Sequence, residues 1–225
     1  VGSTSDRDRA ASVRAPFVLD ALRAAMPDAR IALEFDSRWQ LLAATLLSAQ
    51  STDERVNRVT RVLFARFPDP ATTAVADQAE LESLVAELGL FRNKAKNLRA
   101  TAALIMERHG GEVPASMEEL CALPGVARKT ANVVLANGFG IHEGIAVDTH
   151  VGRLARRLDL SRAEDPVAVE RDLMGLFPKD DWLAVSDLLI HHGRRTCDAR
   201  RPACDACVIE ELCPSSWVAG RGDAR

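Results

Sequence analysis

At 225 residues, with 47% hydrophobic and 27% charged side chains, the chain has the composition of a soluble globular protein of one or two domains. No stretch is apolar for long enough to cross a membrane, and the opening VGSTSDRDRAASVRA is polar and charged, unlike a secretory signal. A net charge of −3 excludes a protein that merely coats nucleic acid through bulk charge, and leaves room for a local basic face.

Apolar residues recur at helical spacing along nearly the whole chain, and no segment alternates as a strand would, so the predicted class is all-α. Composition predicts a mobile tail over residues 1–14. The first helix, PFVLDALRAAM, places Phe17, Val18, Leu22, Ala25 and Met26 on one stripe. WQLLAATLLSAQ is apolar on all sides and reads as a buried helix. Ser51 and Glu54 have the spacing of a capping box opening the next helix, with Val56, Val59, Leu63 and Phe67 on one face and Asp69-Pro70 as its end. QAELESLVAELGL follows, closed by Gly89, and then NKAKNLRATAALIMERHGG, stopped by Gly110-Gly111. Ser116 and Glu119 suggest a second capping box before SMEELCAL. The Pro124-Gly125 turn separates that short helix from the next, giving helix, hairpin, helix. THVGRLARRLDL, PVAVERDLMGLF and DWLAVSDLLIHHG complete the series.

Two features carry chemistry. Cys197, Cys204, Cys207 and Cys213 are spaced C-x6-C-x2-C-x5-C within 17 residues. In a reducing compartment that density favours a metal centre over disulfides. Four thiolates suit tetrahedral zinc or a 4Fe-4S cluster, and spacing leaves both open. The fifth cysteine, Cys121, lies in the short helix before the hairpin and reads as packing.

The second feature is LPGVARKTANVVL. A glycine-assisted turn at a helix start exposes successive backbone N–H groups, which together attract an anion such as a nucleic-acid phosphate. Lys129 stands one turn into that helix, one of four lysines against 25 arginines. A solvated cation would explain it, but so would a need for an amine that can lose its proton, which arginine does not do. Asp148, in AVDTHVGRLARRL, has the position of a helix N-cap. Arginines gather in RLARR, in HHGRRTCDARR and, with lysines, in FRNKAKNLR.

LPGVARKTANVVL, VDTH about twenty residues on, and the terminal cysteine spacing together resemble the endonuclease III family, helix-hairpin-helix DNA glycosylases with an iron-sulfur cluster. LLSAQSTD and GLFRNKA extend the resemblance over residues 17–214. It implies two helical domains flanking a DNA-binding cleft. Residues 31–142 would form a helical barrel carrying the hairpin, and residues 1–30 with 143–225 the cluster domain. Lys129 matches the nucleophile and Asp148 the essential aspartate. Gln50 matches a residue that fills the gap left by a flipped nucleotide, and Leu90 a wedge near the opposite strand. Ser48, Asp53 and His150 match positions of the damage pocket. Leu123, Gly125, Val126 and Ala127 of the hairpin, with Arg200 and Arg201, match contacts to the DNA backbone. The four cysteines would hold a 4Fe-4S cluster that shapes this last loop.

The implied activity is that of a monomeric base excision repair enzyme, cytoplasmic and bacterial, acting on duplex DNA. It removes oxidised pyrimidines and then cleaves the strand at the abasic site. The adenine-removing mismatch glycosylase relative fits less well, since it usually lacks the hairpin lysine and carries a Glu where this chain has Ala43-Ala44. A non-catalytic DNA-binding or redox-sensing module leaves Lys129 and Asp148 unexplained. One position departs from the family pattern: LPGVG reads LPGVA here. Ala127 adds a Cβ near the phosphate and disfavours positive φ, so a weaker grip on DNA is expected.

Overall fold

The computed structural model describes residues 6–218. Among them the regular elements are helical and no strand occurs. The chain divides into two compact units, Ala32–Glu143 and the pair of segments Val1–Ile31 and Gly144–Arg225. No described helix is long and apolar enough to cross a membrane.

The continuous unit opens with α2 (Arg38–Leu47), following α1 (Asp6–Ala25) of the other unit. The Ser37 side chain caps α2 by accepting from the Gln40 N–H. Its residues from Trp39 to Leu47 are buried except for Gln40, as an all-round apolar helix must be. Helix α3 (Asp53–Arg66) starts one residue later than the capping-box spacing predicts. Thr52 caps it, accepting from the Arg55 N–H, while Ser51 makes other bonds. Its N–H donates to Ser48 O and its hydroxyl accepts from Lys94. Asp69-Pro70, read as a stop, instead caps and begins the short α4 (Pro70–Ala74). Helix α5 (Gln78–Leu84) ends before Gly89; Val85 and Leu88 stay buried in the turns beyond it.

Helix α6 (Phe91–His109) is the long element of this unit. It starts on Leu90 and ends on Gly110, both left-handed. Ser116 caps α7 (Met117–Cys121) through the Glu119 N–H, and its hydroxyl donates to the Glu119 carboxylate, close to the expected box. Beyond the hairpin, α8 (Arg128–Val134) runs directly into a π turn over Leu135–Phe139. Arg38 holds that turn: its Nε donates to Gly138 O at 2.8 Å, and its guanidinium lies 4.3 Å from the centre of the Phe139 ring.

The other unit is built from α1 (Asp6–Ala25), α9 (Thr149–Arg157), α10 (Pro166–Leu176) and α11 (Trp182–Arg195). Its core joins Ala15, Val18, Leu19 and Leu22 of α1 to Leu154, Leu173, Leu188 and Leu189. The inward stripe therefore runs 11, 15, 18, 19, 22, and Phe17 is 60% exposed, outside the stripe predicted for it. Of the predicted mobile tail, residues 1–5 lie outside the described residues. Residues 6–14 belong to α1. Ala11 is buried, and Arg14 donates to Leu158 O at 3.0 Å and Asp159 O at 3.4 Å. Polar composition concealed this because the inward positions are small alanines, with little apolar surface to reveal the stripe.

Asp187, on α11, has its pKa pushed up to about 7 by burial. The native state then holds a proton that the unfolded chain releases near pH 4, so this group subtracts stability as pH rises from there to about 7. Asp187→Asn should raise the melting temperature more at pH 8 than at pH 5; an equal change at both would contradict it. Gly125→Ala should cost about 1–3 kcal/mol in denaturant unfolding, from a left-handed φ and a Cβ collision described below.

Candidate active site and cysteine loop

The hairpin is a four-residue turn, Leu123 to Val126, closed by the Val126 N–H donating to Leu123 O at 3.1 Å. Proline fixes the second position, and Gly125 takes φ +77°, the left-handed value that the third position of a type II turn requires. Leu123 and Val126 are buried anchors. Their N–H groups are spent inside the protein, on Leu120 O and Leu123 O. Gly125 and Ala127 are the exposed members. Thr101 of α6 donates its hydroxyl to Pro124 O at 3.0 Å. A Cβ on Gly125 would stand 2.7 Å from Asn97 Nδ2, so the turn is seated directly on α6.

Ala127 is the N-cap of α8, with φ −96° and ψ 168° and no side-chain capping bond. This is extended backbone, so the alanine carries none of the strain expected from the family pattern. Ala127 offers no side-chain oxygen to the first turn of α8, which includes Lys129, and a helix N-terminus of this kind favours an anion. Lys129, the second residue of α8, is exposed.

Gln50 and Leu90 lie on neighbouring loops of the same unit. Both have left-handed backbones, φ +56° and φ +58°, and the only other described non-glycine residue with positive φ is Asp159. Each costs about 1–2 kcal/mol relative to a right-handed or extended residue, and such outliers gather at functional positions. Gln50 is exposed and Leu90 is 58% exposed. A Cβ on Gly89 would come within 3.8 Å of Gln50 O, so the loops run close together. Ser48 closes the end of α2, its hydroxyl donating to Thr45 O. Asp53 is half-buried as the first residue of α3, beside the capping Thr52.

In the discontinuous unit, Asp148 caps α9. Its Oδ1 accepts from both the His150 and Val151 N–H groups at 2.8 Å. The capping role is thus real, and it turns one carboxylate oxygen toward the helix and leaves Oδ2 outside these bonds. Ile145, Ala146 and Val147 before it are buried, and Ser186 donates to Ala146 O, so the segment delivering Asp148 is fixed. His150 Nδ1 lies 3.1 Å from Arg153 Nη2, and the His150 side chain packs on Gly193, where an added Cβ would come within 2.9 Å.

The four cysteines line one cavity together with Leu154, Arg157, His192 and Ile209. Arg153 donates to Gly193 O and Cys197 O; Arg157 donates to Cys197 Sγ at 3.2 Å, Asp198 O at 2.6 Å and Ala199 O at 2.8 Å. His192 Nε2 lies 3.4 Å from Cys207 Sγ. Burial holds His192 down at about 4, hence neutral, and pushes the Cys207 thiol up to about 11, helped by the charges of Cys197, Cys213 and Cys204. Among the described residues no three His, Cys, Asp or Glu side chains are grouped to hold a single metal ion. Arg200 and Arg201 are exposed, and both give their N–H groups to Asp198 Oδ1, which fixes the backbone beneath them.

Sequence reasoning missed Arg153, Arg157 and His192 as supports of this loop. The contacts of the two arginines reach across about forty residues and that of His192 across fifteen, and the pattern showed only arginine clusters. It also missed Lys94, buried between the Gln50 and Leu90 loops, although its rarity as a lysine was the signal that singled out Lys129.

Residues 43–179 match the family of HhH-GPD superfamily base excision DNA repair proteins. The chain is 53% identical over 203 residues to endonuclease III of Synechocystis sp., across 90% of this chain and 93% of that one. Among solved structures it is similar to a non-covalent endonuclease III–DNA complex, with TM-score 0.88 and 39% identity over 93% of this chain and 98% of that chain. It is also similar to a trapped endonuclease III–DNA covalent intermediate, with TM-score 0.86 and 40% identity over 90% and 95%.

Proposed function

Because the chain belongs to the HhH-GPD superfamily and, within it, to the endonuclease III family, we propose that it is a bifunctional DNA glycosylase and abasic-site lyase of base excision repair. Its partner is duplex DNA and its substrates are oxidised pyrimidines. The observation that carries this reading is an exposed lysine placed directly beyond an uncapped hairpin of backbone amides.

The chemistry follows from the residues. A base stacked in a duplex is out of reach, so the nucleotide must leave the helix. The Gly125 and Ala127 amides and the Arg200-Arg201 loop hold the phosphate backbone and carry no sequence information. Gln50 fills the vacated space and Leu90 wedges the opposite strand. Ser48, Asp53 and His150 match the family's positions that meet the extruded base. The neutral Lys129 amine attacks C1′; the bond from C1′ to the base breaks, and the base leaves with that electron pair and takes up a proton. The amine loses its proton and the sugar ring opens to an imine on Lys129. Asp148, through its carboxylate, stabilises the positive charge that develops on the sugar. Loss of the 2′ proton then expels the 3′ phosphate by β-elimination and breaks the strand. Arginine cannot form that imine, which accounts for lysine at position 129 in a chain that elsewhere prefers arginine.

Cys197, Cys204, Cys207 and Cys213 would hold a 4Fe-4S cluster. The four thiols line one cavity, and such a cluster takes one cysteine at each iron. So held, it would set the shape of the loop bearing Arg200 and Arg201.

Borohydride reduces an imine to a stable crosslink. Incubated with duplex DNA carrying one thymine glycol plus borohydride, the protein should become covalently attached, and Lys129→Gln should not. A crosslink to an abasic site but none to thymine glycol would keep the lyase and remove the substrate class; none to either would sink the enzyme reading. Arg200→Ala/Arg201→Ala should weaken binding to all sequences alike and reduce the slope of log affinity against log salt by about 1–2. An unchanged slope would place those arginines off the DNA.

A further inference from the structure

Lys94 is the residue the proposed chemistry leaves unused. It sits in the first turn of α6 with 7% of its surface exposed. Its ammonium carries three donors, and the acceptor it meets is the Ser51 hydroxyl at 3.0 Å. Burial lowers its pKa from the usual lysine range. A buried cation with one neutral partner is costly, and it persists where something else depends on it.

What depends on it is visible on either side. The Lys94 N–H donates to Leu90 O at 3.1 Å, closing the first turn of α6 on left-handed Leu90. Its side chain reaches Ser51, the residue next to left-handed Gln50, and Ser51 is itself tied back to Ser48 O. A single residue thus grips both loops beside the points where their backbones are strained, and the loops run close together there, since a Cβ on Gly89 would stand 3.8 Å from Gln50 O. Neither Gln50 nor Leu90 has a side-chain anchor of its own in the protein core, since both are exposed.

We propose that Lys94 is a positioning residue for strand insertion: its bond to Ser51 locks the Gln50 and Leu90 loops into one rigid unit, so that gap filler and wedge enter the duplex together. This rests on the reading of Gln50 and Leu90 given above. Lys94 itself does not touch the DNA. Its role is to keep two left-handed residues from relaxing while the duplex pushes back on them.

The test is a mutant cycle on single-turnover removal of thymine glycol from duplex DNA. Lys94→Met and Ser51→Ala should each lower the rate about 5–20-fold, and the pair together no further than one alone. In the background Gln50→Ala/Leu90→Ala, adding Lys94→Met should cost less than about twofold, because the parts it positions are gone. A merely structural lysine would impose its full loss in that background as well, and that result would overturn the proposal, as would full activity of both single variants. The slope of log affinity against log salt should not change in Lys94→Met; a drop of about 0.9 would make it a phosphate contact instead. Ser51→Ala, which keeps the lysine, carries the test if Lys94→Met does not fold. An inactive wild type would count against the enzyme reading, whereas an active wild type with additive losses counts against Lys94 alone.

Discussion

The hairpin can sit where it does only because position 125 has no Cβ. Any side chain there would begin 2.7 Å from Asn97 Nδ2 and 3.3 Å from Asn97 Cβ, on a backbone at φ +77°, so Asn97 or the turn would have to shift. That contact, together with the Thr101 bond to Pro124 O, sets the direction of the hairpin amides and the starting point of α8. Lys129 is two residues beyond, too close to the turn for its position to be adjusted independently. The reach of the amine is therefore fixed by a glycine that takes no part in the chemistry.

Helix α6 is the common reference for more than the hairpin. Lys94, Asn97 and Thr101 follow one another at i, i+3 and i+7, which places them on one face. The first holds the Gln50 and Leu90 loops, and the other two hold the hairpin. Seven residues of helix separate these attachments by about 10 Å along the axis. The two sets of groups assigned to DNA within this unit are thus indexed to a single rod. A helix resists stretching far better than a loop does, so the spacing between backbone grip and wedge is held without a direct bond between them. The apolar face of the same helix, Leu98, Ala102 and Ile105, is buried and keeps the rod from turning.

The sequence made the elements legible wherever periodicity or a cap has one dominant cause. The all-round apolar α2, the glycine stop at Gly110, and the capping serine at 116 all read correctly because each is a local rule. Reading failed where a tertiary partner competed for a residue. Ser51 fits a capping box on spacing alone, but Thr52 is the cap, and the Ser51 hydroxyl instead meets Lys94, 43 residues away. Phe17 looks like a core residue and faces outward, since small alanines at 11 and 15 admit close helix packing that a phenylalanine would block. The π turn after α8 had no signal; it depends on Arg38, a hundred residues away, for its carbonyl partner. The candidate site was legible as motifs, and the left-handed backbones of Gln50 and Leu90 were not, because neither residue type announces positive φ as glycine does.

Ala127 shows how geometry can reverse an expectation drawn from a motif. A second glycine in the hairpin invites the inference that the position needs positive φ, and then alanine would strain the loop. The backbone there is extended, at φ −96°, as an N-cap is. An alanine adopts it freely, and its Cβ is exposed. What alanine changes is the unfolded chain, which loses part of the freedom glycine would give it. At a position whose native φ and ψ suit both residues, that difference stabilises the alanine form by about 0.4–1 kcal/mol. The N–H remains and its direction is set by Gly125 and the turn, so the hairpin keeps its donors in a slightly stiffer frame. The cost of glycine's absence is then confined to the space a phosphate oxygen would share with one methyl group.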